Sequence, residues 1–379
     1  MAYLKKLKES QKFILFLIIS ILISRIIMYV QFGYETHIWG FSDFFNSINL
    51  WDSGWYRKIA EGLYVAGTEN SDGTANWNFF PMNALLVRAI ISVIHVDTYI
   101  VASILNTVLL FFALFMAYKY IMLTRNNVNI AVYFSIFMIF GIYTFYYSVF
   151  YSESLYLLLL VMAMYFMKKK QYILMGICGA FLSITRSTGV FFVFVVLAFL
   201  IEEYIREGEK KSFIDFIVKS ICDYELVLGV MLVPLGLFVH MRYLKIHIGD
   251  ALAFAHSQVA AFGRTYKGFK VISEGLDSFT STYLLIFIII GLAVMFTGVF
   301  RKKNYYEMIL PIITIVMSGG QTILGSPRYI LGSFGFLLYI SDDMDKLPRH
   351  TRIAIFVIAF FAEMILFHVW AVLKDVILV

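Results

Sequence analysis

Apolar runs long enough to bridge a lipid bilayer recur along almost the whole chain, and this recurrence constrains the fold more than any other feature. A helix needs roughly 20 residues to cross about 30 Å of hydrocarbon. Runs of that character, some of them shorter, stand near 13–31, 98–122, 127–148, 153–168, 171–186, 188–203, 224–243, 282–300, 305–323, 327–341 and 353–373. The chain is 61% hydrophobic and 15% charged, against about 45–50% and about 25% for soluble domains, so a water-soluble enzyme is excluded. Disorder would need the opposite composition, and a transmembrane barrel would show short alternating segments. The expected fold class is an all-α polytopic membrane protein of about eleven spans. It forms one domain over 1–379, without repeats or a soluble appendage. No small-residue cleavage site follows Phe13–Met28, so this first run is read as a span and not as a removed signal.

Charge sets the expected orientation. Basic clusters stand at Lys5–Lys8, Lys119 with Arg125, Lys168–Lys170, Arg206–Lys211, Arg301–Lys303 and Lys346–Arg352. Cytoplasmic loops carry the excess of Lys and Arg, and all of these clusters share one side provided that Met82–Val96 does not cross. That stretch is short and holds Arg88 mid-segment, where a cation costs roughly 2.5–3.5 kcal/mol. Lying in the interface would let Arg88 reach the headgroups. The protein is then multi-pass in the cell membrane with a cytoplasmic amino terminus. Its net charge of +6 is accounted for by inner loops, without nucleic acid. The outer face receives the first large loop, 31–97, with its juxtamembrane helices, and a second large loop, 244–281. It also receives the turns around Tyr151-Ser152-Glu153 and Arg186-Ser187, and the Gly319–Arg328 loop. Cys178 and Cys222 have neither CxxC nor metal-ligand spacing, so no disulfide framework or zinc site is expected.

In the first outer loop, the stretch from Trp51 to Gly62 has local helix logic. Asp52 suits an N-cap, Gly62 suits the helix end, and Trp51, Trp55 and Ile59 recur every four residues as an apolar stripe. Further on, Asn76-Trp77-Asn78-Phe79-Phe80-Pro81 leads into the Arg88 helix, with proline at an ordinary helix start. On periodicity alone these are a capped interfacial helix and an entry turn with aromatic anchors, and neither names a function.

Taken together, however, four stretches in this order resemble a known family. They are Trp51-Asp52 through Ile59-Ala60-Glu61, then Phe79-Phe80-Pro81 with Leu85, then Tyr151-Ser152-Glu153-Ser154-Leu155 followed by Thr185-Arg186-Ser187 and Gly189, and finally Pro327-Arg328-Tyr329. The chain resembles the membrane mannosyltransferases related to the second mannosyltransferase of glycosylphosphatidylinositol assembly, within the GT-C class of polyprenyl-phosphate-sugar-dependent glycosyltransferases. Trp55 stands where that pattern often has histidine, Ala84 where it has a second proline, and Thr188 where it has asparagine. The compact, lysine- and isoleucine-rich chain reads as bacterial, so the family's acceptor is not carried over.

The resemblance implies a GT-C-type bundle and an inverting sugar transfer on the outer face. Its partners would be a polyprenyl-phosphate-linked sugar donor, a glycan, glycolipid or protein acceptor, and the bilayer, without nucleic acid. An acidic residue of the first outer loop is the general base of this class, and Asp52 occupies that position. Its carboxylate would take the acceptor's proton as the oxygen attacks the anomeric carbon. Glu153 is the second catalytic candidate, to orient the acceptor, hold a sugar hydroxyl or share a divalent ion with Asp52. As a plain helix-start carboxylate it would be favoured by the helix dipole alone.

Negative charge grows on the leaving phosphate, which a preorganised cation stabilises. Arg186, Arg328, Arg264, Lys267 and His256 are the candidates, arginine being favoured for its planar fork. The plain alternative for each arginine is an interfacial side chain reaching for water. Trp51, Trp55, Tyr56 and Tyr151 are candidates for the sugar and acceptor surface, as are Tyr146 and Tyr147, although such aromatics also serve as interface anchors.

No cofactor is expected. Magnesium or manganese could bind two carboxylates, but no DxD pair appears in the first outer loop, and Asp342-Asp343 with Asp345 reads as a solvated inner turn. Asn106, His240 and Glu363 are polar groups in or near spans, where they are costly and often functional; Asp97 and His95 receive no role. The competing function is a lipid or lipid-linked-sugar transporter, which should show internal repeats and charges at the bilayer midplane.

Overall fold

Helix is found in every stretch that the sequence marks as a span, but two of the stretches are broken. The computed structural model describes residues 8–67, 70, 73–206, 212–262, 279–301, 304–319 and 325–375, and among these it contains helices and no strand. In chain order the helices are α1 (Glu9–Thr36), α2 (Phe41–Ile48), α3 (Asp52–Gly62), α4 (Met82–Ile91), α5 (Thr98–Thr124), α6 (Val128–Phe140), α7 (Glu153–Lys168), α8 (Tyr172–Thr185) and α9 (Phe192–Arg206). The remainder are α10 (Phe213–Cys222), α11 (Tyr224–His247), α12 (Ala253–Phe262), α13 (Phe279–Arg301), α14 (Ile309–Gly319), α15 (Ser326–Leu331), α16 (Phe334–Met344) and α17 (Arg349–His368). Among the described residues, five segments are both long and apolar enough to cross a bilayer: α1, α5, Ser187–Arg206, α11 and Arg349–Leu373.

Close helix approach explains how the centre is built. α8 and α11 meet through Gly176, Gly179, Gly229 and Gly236. A Cβ on Gly176 would strike the Gly229 backbone, and one on Gly236 the Ala180 carbonyl. Where lipid offers no hydrophobic drive, small residues let helices gain contact in this way. Ser183 adds a bond across the seam, its hydroxyl donating to the Val233 carbonyl at 2.7 Å.

Met82–Val96 holds a helix too short to cross. Its helix ends at Ile91 after 10 residues, about 15 Å of rise against about 30 Å of hydrocarbon. Arg88 also has partners inside the protein. Its Nη1 donates to the Ala60 and Glu61 carbonyls, at 2.9 and 3.0 Å, and so closes the end of α3. α3 itself buries Tyr56, Ile59 and Ala60 in the protein and leaves Trp51 41% exposed. The stripe therefore faces protein at Ile59 and solvent or lipid at Trp51. Asp97, for which no role is expected from the sequence, caps α5 by accepting from the Tyr99 and Ile100 amides.

The stretch 127–148, read as one span, is helical only to Phe140. From Tyr143 to Leu155 every residue is buried, yet only the 3₁₀ turn Thr144–Tyr147 is helical before α7 starts at Glu153. Non-helical backbone is tolerated at membrane depth only where protein or a cavity satisfies it, and here side chains do so. Asn49 Oδ1 accepts from the Phe150 amide. The Asn106 amide donates to the Val149 and Tyr151 carbonyls, and Asn83 donates to the Tyr151 carbonyl at 2.6 Å. The stretch 327–341 is likewise split, between α15 and α16 at Gly332-Ser333.

Of the basic clusters, the described members Arg125, Lys168 and Arg206 gather around the segment 304–307 at one end of the bundle. Arg125 forms a two-toothed pair with Glu307, 2.6 Å to each oxygen, and also meets Asp342 at 3.2 Å. Asp342 is thus not a solvated turn residue, and its side chain is only 11% exposed. Burial opposes the Arg125 charge, but Glu307 outweighs it and holds the guanidinium firmly protonated. Near it, Lys168 stands over Phe199 and Tyr306, Arg206 bonds Asn304, and Asn127 bonds Asp345.

Candidate functional site

Opposite that end, the start of α7, the junction of α8 with the following 3₁₀ turn, and α15 converge on a cleft. The cleft holds about 680 Å³, counting the space at its mouth, and is lined by Glu153, Arg186 and Arg328 with Tyr146, Tyr147, Tyr156 and Tyr329. Leu157 and Leu160, one and two turns along α7, carry the lining about 10 Å deeper, where Leu310, Pro311 and Phe334 complete an apolar floor. The cleft thus has a cationic, tyrosine-ringed head and a hydrocarbon-like tail.

Its electrostatic centre is one carboxylate shared by two arginines. Arg186 Nη2 donates to Glu153 Oε1 at 3.1 Å, and Arg328 Nε lies 3.9 Å from the same oxygen. The Glu153 and Arg328 side chains are 9% and 7% exposed. Glu153 Oε2 and Arg328 Nε and Nη1 are buried without hydrogen-bond partners. Such groups are costly inside a protein, and a ligand carrying acceptors for the arginine and a donor for the carboxylate would satisfy them. Arg328 is wedged among rings, 4.6 Å from Tyr146, 5.0 Å from Tyr329 and 5.7 Å from Tyr151, each within cation–π range. Packed this way, the guanidinium is held in place before anything binds.

Asp52 stands beside this centre, across Tyr151. It does not occupy the cap position: Trp51 does, without a side-chain cap bond, and α3 begins at Asp52 itself. The Asp52 amide donates to Tyr151 Oη at 3.2 Å, while the Tyr151 hydroxyl donates to the Leu50 carbonyl at 3.4 Å. Burial pushes the Tyr151 hydroxyl well above the usual phenol range and the Asp52 charge adds to it, so this tyrosine stays a neutral donor. Tyr56 is raised for the same first reason, with Arg186 pulling the other way. Trp51 has φ of +53°, a region that costs a bulky residue energy. Strain of this kind collects at functional sites, and here it sits directly before Asp52.

The aromatic candidates divide. Tyr56 and Tyr151 are buried at the centre, with ring centroids 6.2 Å apart. Trp55 stacks on Phe79 at 6.1 Å and lies under Lys58, and Trp51 is at the surface. Among the candidate cations, Arg186 and Arg328 are brought together. His256 is 66% exposed and paired with Asp250 at 2.6 Å, and it does not line the cleft. Arg264 and Lys267 lie outside the described residues. Asn49 and Asn83 carry the segment that presents Tyr151 and Glu153, and the sequence reading passed over both. Their one signal was an amide side chain amid apolar neighbours.

No protein-family profile and no curated protein matches the chain. Among solved structures it is similar to the archaeal oligosaccharyltransferase AglB from Archaeoglobus fulgidus, in complex with an inhibitory peptide and a dolichol-phosphate. The TM-score is 0.45 at 12% identity, over 87% of this chain and 51% of that one. The chain thus spans about half the length of that neighbour, and a likeness this distant assigns no activity.

Proposed function

We propose that the protein is an inverting glycosyltransferase that moves a hexose, mannose in the first instance, from a polyprenyl-phosphate-sugar to an acceptor hydroxyl. The observation that carries this reading is convergence. Glu153, Arg186 and Arg328 are far apart in sequence, yet they line one cleft; Asp52 is not among the lining residues, and its stretch joins them through Tyr151, which bonds the Asp52 amide and faces Arg328. In this reading Arg186 and Arg328 grip the donor phosphate and the lipid's first carbons lie on the apolar floor. The acceptor oxygen attacks the anomeric carbon from the face opposite the phosphate. The bond to the phosphate oxygen breaks with its electron pair going to the phosphate, and the hydroxyl proton passes to Asp52. The arginines stabilise the charge that grows on the leaving phosphate, and Glu153 holds them in place while its second oxygen takes a substrate hydroxyl. The donor set argues against a divalent ion, because Glu153 Oε1 already faces two guanidiniums that repel one.

We take the cleft to open on the extracytoplasmic face, a reading supported by the positive-inside bias, since Arg125, Lys168 and Arg206 lie toward the opposite end. The test is sugar transfer from a lipid-phosphate donor by purified wild type, Asp52→Asn and Asp52→Ala. Loss of a general base lowers turnover by about 10²–10⁴-fold. Normal turnover in both variants, or a wild type that moves lipid-linked sugar across vesicles without transferring it, would overturn the assignment.

A further inference from the structure

We propose that Glu363, on α17, is a positioning residue for the cleft, acting through the turn Thr144–Tyr147. The inference rests on the reading of the cleft as a lipid-phosphate site but uses residues outside it. Glu363 is 8% exposed, and its Oε1 accepts from the Phe145 amide at 2.7 Å and from the Thr144 hydroxyl at 2.8 Å. A carboxylate from a distant helix thus caps a four-residue turn that lacks a cap of its own. The turn needs the support, because Tyr143, in the cap position, has φ of +67°, which an aromatic residue adopts only when its surroundings impose it.

Two residues of the turn, Tyr146 and Tyr147, line the cleft. Tyr146 is the ring nearest Arg328, and the Tyr147 hydroxyl donates to the Gly332 carbonyl at 3.0 Å, at the break that orients the end of α15. Glu363 therefore fixes the wall against which Arg328 is packed, without touching the ligand space. Its second oxygen is buried and unbonded, beside a separate small cavity that Ser24, Gln31 and Thr144 also line. Holding a carboxylate there is expensive, and the cap on the Thr144–Tyr147 turn is the work it is seen to do.

The test uses full-length wild type, Glu363→Gln and Glu363→Ala in lipid nanodiscs, with two readouts. The first is hydrogen exchange of the segment 141–156, which needs no ligand. Glu363→Ala should lose protection there while the Arg125 end is unchanged, and Glu363→Gln, which keeps an acceptor oxygen, should retain it. The second is binding of undecaprenyl phosphate. Glu363→Ala should bind about tenfold more weakly, roughly 1.4 kcal/mol, and Glu363→Gln should stay near wild type. Unchanged exchange in Glu363→Ala, or equal losses in both variants, overturns the positioning role. Loss of protection in Glu363→Ala alone, with a wild type that binds no lipid phosphate, upholds the clamp and overturns the reading of the cleft.

Discussion

Truncating Arg328 to alanine isolates the cation on which the proposed chemistry most depends. The side chain is buried beside Glu153 and three tyrosine rings, and two of its nitrogens have no hydrogen-bond partner. A charge-assisted bond to one phosphate oxygen is worth about 1.5–3 kcal/mol. Removing one preorganised donor to a developing anion costs about 10²–10³ in rate, or about 2.7–4 kcal/mol. We therefore expect kcat/KM for the lipid-phosphate donor to fall by about 10²–10³-fold in Arg328→Ala. Arg328→Lys should recover only part of this, since an ammonium keeps the charge but loses the fork. Arg186→Ala should cost less, because that side chain is 26% exposed and already bonded to Glu153. The double variant should cost less than the sum, because both arginines lean on the same carboxylate oxygen. The assay is a donor titration in nanodiscs, with thermal unfolding as the control for folding; Glu153 keeps Arg186 in either single variant of Arg328. A folded Arg328→Ala within about threefold of wild type in kcat/KM would refute the phosphate-gripping role.

Two further outcomes are expected. Glu307→Ala should destabilise the protein by about 3 kcal/mol, the lower part of the range for breaking a buried pair, since Asp342 still faces Arg125; unchanged thermal unfolding would show that the Arg125 cluster is dispensable. In a Cys222→Ser background, Val65→Cys and Lys169→Cys should label from opposite faces of intact cells. Labelling from the same face would remove the extracytoplasmic placement.

How much was legible follows from which signals are local. Hydropathy located the helices, because a membrane-crossing helix writes its length into the sequence. The short reach of Met82–Ile91 was legible too, although its arginine caps a neighbouring helix. The breaks after Phe140 and at Gly332 were hidden, because an aromatic, apolar stretch reads as span whether it is coiled or packed irregularly inside protein. The residues that permit the first break, Asn49, Asn83, Asn106 and Glu363, bond to backbone 43 to 218 positions away, a distance no periodicity reports. The ordered motifs pointed to Asp52, Glu153, Arg186 and Arg328 as a set, but not to the sharing of one carboxylate by two arginines.

The irregular stretch between α6 and α7 also carries a consequence for biogenesis. Its peptide groups find their partners on α4, α5, α17 and the residue following α2, so while the chain is being inserted the Phe145 amide lacks its carboxylate partner until α17 has docked. The wall of the cleft would then set only after α17 has docked. A polypeptide halted before α17 would lodge its hydrophobic segments in the bilayer yet leave the Thr144–Tyr147 turn without its carboxylate cap.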